Sequence, residues 1–126
     1  MITAVLLLGA AATAVCDNPQ TQTDMTICAG EEYAAADKEL NAQWAITAER
    51  MKDNDSALDR STDKRPGYFG TLLKAQRAWL SYRDLHCTSE GYYARGGTME
   101  PMLVAMCKAR LTRERTQQLK GLVTES

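Results

Sequence analysis

Three stretches of this chain repeat apolar or small residues every three or four positions, and no stretch of any length alternates. That period of 3.6 admits helices and excludes a sheet. The first stretch runs from about Asp24 to Lys52, with Thr23 as its expected N-cap. Its stripe is Ala29, Tyr33, Ala36, Leu40, Trp44, Thr47 and Met51. Asp53-Asn54-Asp55 is expected to break it, and a charged segment then ends in the turn signal Pro66-Gly67. A second helix is expected from about Phe69 to Ala94, carrying Phe69, Leu72, Leu73, Gln76, Trp79, Leu80, Arg83 and Cys87 on one side. Gly96-Gly97 stops it. Thr98 is the expected cap of a third helix, with Pro101 tolerated in its first turn and Met102, Leu103, Met106, Leu111 and Leu119 on its apolar side. The resulting expectation is an all-α, three-helix, up-down-up bundle.

Four cysteines tighten that layout. Cys87 and Cys107 lie equally far on either side of Gly97 in the sequence, so antiparallel helices turning there bring them to one height. Cys16 and Cys28 then remain to staple the leading loop to the first helix. The pairings 16–87 with 28–107, or 16–107 with 28–87, stay open at this level, because four cysteines allow three connectivities. Two bridges belong to an oxidising compartment.

The amino terminus reads the same way. Residues 1–16 carry no charged side chain, and their apolar run falls short of a bilayer span. It matches the apolar core of an export signal, with Ala12-Thr13-Ala14 as the small-residue cleavage element. Residues 1–14 are therefore expected to be a signal peptide and residues 15–126 the exported domain. No Lys or Arg precedes the apolar run, which leaves the start site open. Val15 and Thr13 do not suit a lipoprotein signal at Cys16.

The formal net charge is −1, with 15 Lys and Arg against 16 Asp and Glu. That balance argues against nucleic-acid binding, which needs a basic excess. The charge is unevenly spread: residues 17–63 carry a net −7 and residues 64–126 a net +6. Arg83 falls in the apolar register of the second helix, where a bare guanidinium is costly to bury. Helices turning near residue 60 would set Asp37 opposite Arg83, with Asn41 or Gln76 taking its remaining donors. Such a group reads as a structural pair fixing helix register, since a carboxylate held ionised by Arg is the wrong state for an acid catalyst.

Four blocks carry a resemblance: Cys16-Asp17-Asn18-Pro19-Gln20-Thr21-Gln22 with Met25 and Cys28; Ala36-Asp37-Lys38-Glu39-Leu40-Asn41; Gln76-Arg77-Ala78-Trp79-Leu80 with Tyr82-Arg83-Asp84 and Cys87; and Gly97, Cys107, Thr112 and Arg115. Together they resemble the lysozyme inhibitor LprI-like domain of bacterial envelope proteins, over nearly all of the chain after residue 15. The resemblance implies a small exported helical domain and inhibition of lysozyme. It assigns no inhibitory residue.

Two surfaces are candidates for a partner. The acidic linker Asp53, Asp55, Asp59 and Asp63 suits a basic enzyme such as a vertebrate-type lysozyme. The segment containing Tyr92, Tyr93 and Arg95 has the composition of a binding hot spot. Met99, Met102 and Met106 share a helical face and could suit Cu(I), but Met at that spacing reads as core filler. His86, the only histidine, has no metal-ligand spacing to a neighbour. With the thiols in disulfides, no nucleophile, catalytic residue, metal site or cofactor is expected. The leading expectation is a periplasmic or secreted protein that blocks the cleft of a peptidoglycan-cleaving lysozyme. The alternative is a structural or stress-response envelope protein with another protein partner and no membrane span.

Overall fold

The computed structural model describes residues 16–124; the expected signal peptide, residues 1–14, lies outside them. Three long helices make the bundle: α1 (Gln22–Ser56), α2 (Tyr68–Gly91) and α3 (Glu100–Thr124), with a single 3₁₀ turn, Tyr92–Ala94, after α2. Among the described residues there is no strand, and no helix is long and apolar enough to cross a membrane. The disulfides are Cys16–Cys28 and Cys87–Cys107, the pairing the helix layout favours.

The helix ends depart from the local signals in the sequence. Thr21, not Thr23, caps α1: its hydroxyl accepts from the Asp24 N–H at 3.0 Å. Asp53-Asn54-Asp55 does not break α1, which continues to Ser56. Asp55 is retained there because its carboxylate serves another helix. It accepts from the Tyr68 N–H at 2.6 Å and from the Phe69 N–H at 3.1 Å, the first donors of α2. Gly67, at the N-cap position of α2, has no side chain to do this. Asp55→Ala is therefore expected to cost about 1–2 kcal/mol, the range for a lost cap, read as a lower urea midpoint. At α3 the first intrahelical bond runs from Leu103 N–H to the Met99 carbonyl, so the cap position is Met99 and not Thr98. Gly96, at φ +81°, makes the reversal before it.

The helices do not pack evenly. α1 lies chiefly along α3, while α1 and α2 share the smallest of the three helix interfaces. The buried residues explain why. Ala29, Ala36, Thr47 and Ala48 on α1, and Cys107, Ala109 and Thr112 on α3, are all small. Short side chains let helix axes approach closely. The larger core residues, Leu40, Met51, Leu72 and Leu119, cluster with the partly buried Trp44, Phe69 and Trp79. A buried hydroxyl crosses this seam without being stranded. Thr47 donates to the Leu119 carbonyl at 3.0 Å and accepts from the Gln43 amide at 3.1 Å. The expected α3 stripe is shifted: Met106 is 48% exposed, while Thr112 is fully buried. At the middle of that helix the small residues Cys107, Ala109 and Thr112, not Met106, face the bundle.

Candidate functional site

The up-down-up path brings the start of α1, the end of α2 and the start of α3 to one end of the bundle. A bond from the Gln22 amide to the Met102 sulfur, at 3.4 Å, ties the first and third of these together. The Tyr92–Ala94 turn lies at this end, and Cys87–Cys107 locks the two helices that carry it. Gly91 is required where they converge: a Cβ there would stand 2.5 Å from a Val104 methyl. On this base Tyr93 is 88% exposed. Tyr92 is half-exposed and carries the Arg95 guanidinium 4.3 Å above its ring, a cation–π contact that holds both side chains in place. The turn therefore presents one projecting phenol beside a positioned cation.

The acidic linker sits at the other end. α1 has 35 residues, a length of about 52 Å at helical rise, so the two candidate surfaces cannot enter one cleft. Its carboxylates are also committed differently from one another. Asp55 caps α2. Asp63 receives two hydrogen bonds from the Arg65 side chain, at 2.9 and 2.8 Å, and one from the Arg65 N–H at 3.1 Å, which hold its carboxyl well below the usual carboxylate range. Asp59 accepts from the hydroxyl and the N–H of Ser61, and these bonds lower its pKa. Asp53 is exposed.

Between the ends, Arg83 is 6% exposed and lies 5.3 Å from the Tyr33 ring centroid and 5.2 Å from that of Trp79. Its nearest carboxylate is that of Asp84, at 3.0 Å; Asp37 is at 3.9 Å. Its Nη1 donates to the buried Thr112 hydroxyl at 3.3 Å. Neither expected helper serves it. Asn41 donates to Asp37, at 3.5 Å, and the Gln76 carbonyl accepts from Arg115 Nε at 2.9 Å. The reason is the packing just described: with α1 laid on α3, the space beside Arg83 and Gln76 belongs to α3. Burial raises the pKa of the neighbouring Tyr33 phenol, Arg83 opposing and Asp37 and Asp84 adding. Arg83 is thus a buried cation clamped between two rings and bound by the Asp84 carboxylate and the Thr112 hydroxyl.

His86, Glu90 and Cys107 come within 4.8 Å of one another. The Cys107 sulfur is bonded to Cys87, and Glu90 is paired with Arg110 at 2.7 Å, so this cluster offers no thiolate ligand. Met102 accepts from Gln22 and is not free to act with Met99 and Met106.

The family model described as "Lysozyme inhibitor LprI" matches residues 14–119. The chain belongs to the LprI family. An uncharacterized protein of Rhizobium meliloti (strain 1021) is 45% identical over 108 residues, covering 86% of this chain and 78% of the relative. No solved structure matches. The LprI match takes in both disulfides, the Arg83 clamp and the Tyr92–Ala94 turn. Composition singles out the tyrosine turn as a candidate but does not by itself show its exposure, while the Asp55 cap and the Arg115–Gln76 bond have no counterpart among the sequence expectations. Pro66-Gly67 with no N-cap side chain was the one local sign that α2 must be capped from elsewhere.

Proposed function

We propose that this chain is an exported inhibitor that occludes the substrate cleft of a peptidoglycan-cleaving lysozyme with its Tyr92–Arg95 turn. Membership of a family described as lysozyme inhibitors carries the inhibitory reading. Two disulfides support export, since such bonds persist in oxidising compartments such as the periplasm or the exterior. The chain acts by binding and performs no chemistry of its own.

The choice of contact rests on shape and charge. A lysozyme cleft is a groove built around two carboxylates. An exposed tyrosine on a rigid turn fills such a groove at low entropic cost, because little of the turn has to be ordered on binding. Arg95, held over Tyr92, brings a guanidinium to the carboxylates. The acidic linker is a poorer contact: Asp55 and Asp63 already have partners within the chain. Asp59 is engaged by Ser61, and the exposed Asp53 remains available to a basic surface, but outside the cleft.

A muramidase assay with the disulfide-intact chain tests this. The wild type is expected to inhibit, and Tyr93→Ala to weaken inhibition by roughly 30-fold, the loss typical of a hot-spot residue. Asp59→Lys should change it by less than about twofold, as for a charge outside the contact. Absence of inhibition at tens of micromolar would remove the inhibitor reading and leave an envelope protein with another partner. Inhibition that depends on Asp59 and ignores Tyr93 would move the contact to the linker.

A further inference from the structure

The far end of the bundle contains a cavity that the inhibitory reading does not use. Its volume is about 770 Å³, within the range of small-molecule sites. Met51 of α1, Leu58 and Pro66 of the linker, Leu72 of α2 and Leu122 of α3 make its walls mainly apolar. Arg115 of α3 also lines it.

The guanidinium of Arg115 is the unusual element. Its Nε is held by Gln76 and its Nη1 by Gln118, both neutral carbonyls, at 2.9 and 3.1 Å. Its Nη2 is buried and has no hydrogen-bond partner. Burial without a compensating carboxylate lowers its pKa. A buried guanidinium donor left unsatisfied is expensive, and an anion is the partner that best relieves it. The one carboxylate lining the cavity, Asp63, is already occupied by Arg65 through two bonds. The Nη1 contact to Gln118 is solvent-exposed, so it can be given up as the guanidinium turns toward the cavity.

We propose that this cavity binds a single-chain alkyl carboxylate, its head group on Arg115 and its chain along Met51, Leu58, Leu72 and Leu122. The apolar walls require the alkyl chain. The Arg115 guanidinium, held only by neutral carbonyls, calls for the anion, and its turn toward the cavity would bring the unsatisfied Nη2 to the carboxylate. A free fatty acid, or a lipid fragment with the same head group, meets both conditions in the compartment the disulfides imply. The site lies at the opposite end from Tyr93 and stands or falls independently of lysozyme inhibition.

Calorimetric titration of the disulfide-intact chain with decanoate, and separately with decanol, tests the assignment. Decanoate is expected to bind at one site, and decanol at least about tenfold more weakly, as for the loss of a hydrogen bond to a charged group. Arg115→Met should reduce decanoate affinity by a similar factor and bring it near that of decanol. Thr71→Trp, at an exposed position on the cavity wall, should fill the space and abolish binding with Arg115 intact. That second variant keeps the test valid if Arg115→Met fails to fold. The proposal is overturned by no binding of decanoate, by equal affinity for decanol, or by unchanged decanoate binding in Thr71→Trp.

Discussion

Replacing both Cys87 and Cys107 with Ala is expected to lower stability by about 3 kcal/mol and the melting temperature by roughly 10–20 °C. The bridge closes a loop across 20 residues of sequence, and both half-cystines are essentially inaccessible to water. Its removal frees the unfolded chain and leaves unfilled space where α2 meets α3. The corresponding change at Cys16 and Cys28 closes a shorter loop, across 12 residues. It should cost less, because the segment before α1 can detach without separating two helices, a local opening rather than a global one. Differential scanning calorimetry of the two double variants checks the order. A larger drop for the Cys16/Cys28 variant would show that the leading loop, not the α2–α3 junction, limits stability. If the Tyr93 turn is the inhibitory contact proposed above, the Cys87/Cys107 variant should also inhibit more weakly at temperatures where its helices remain folded, since α2 and α3 are then joined beside the turn by the exposed Glu90–Arg110 pair in place of a covalent bond.

Leu119→Ala should have an effect of similar size, about 3 kcal/mol within the usual range for such truncations. Leu119 is the largest fully buried side chain among the described residues and joins the cluster of Leu40, Met51 and Leu72. The cost has two parts: lost transfer energy, and the cavity left among Leu40, Met51 and Leu72. The Thr47 bond is to the Leu119 carbonyl, so it survives the change and does not contribute. Leu80→Ala is the comparison, because Leu80 lies in the expected apolar stripe of α2 yet is 38% exposed. It should cost under about 1 kcal/mol, as surface truncations do. Urea titration distinguishes them: Leu119→Ala should lower the midpoint with little change in slope. A cost below that of Leu80→Ala would mean that the core lies elsewhere.

These two variants also mark how far local sequence reasoning reaches. The helical period, the two turns and the Cys87–Cys107 pairing all depend on residues within one or two elements, and all were legible. The expected stripe on α1 holds because Ala36, Leu40, Thr47 and Met51 face the core in a single register. The expected stripe on α3 holds at Leu119 and departs at Met106. Hydrophobicity selected Met106, but a helix packed against two others needs small residues at its centre, and that place went to Ala109 and Thr112. Likewise Asp53-Asn54-Asp55 looked like a helix breaker, since propensity alone cannot register that Asp55 is the cap of the next helix.

The candidate site divides the same way. The tyrosine turn could be found because aromatic and cationic residues adjoin two glycines. Its exposure, and its distance from the acidic linker, could not be found that way. The unsatisfied Arg115 left no local sign, because what isolates it is the course of α3 past Gln76.

By itself the sequence determined the number of helices, their boundaries to within a few residues, the turns between them and the cysteine geometry that permits two bridges. Periodicity, glycine and proline act on neighbours along the chain, so these were settled locally. Only the tertiary structure decided that α1 lies on α3, that Arg83 is clamped by Tyr33 and Trp79, that Gln76 serves Arg115, and that Thr47 reaches a carbonyl 72 residues away. Those contacts depend on which helix faces which, and that is fixed by how closely whole surfaces can approach.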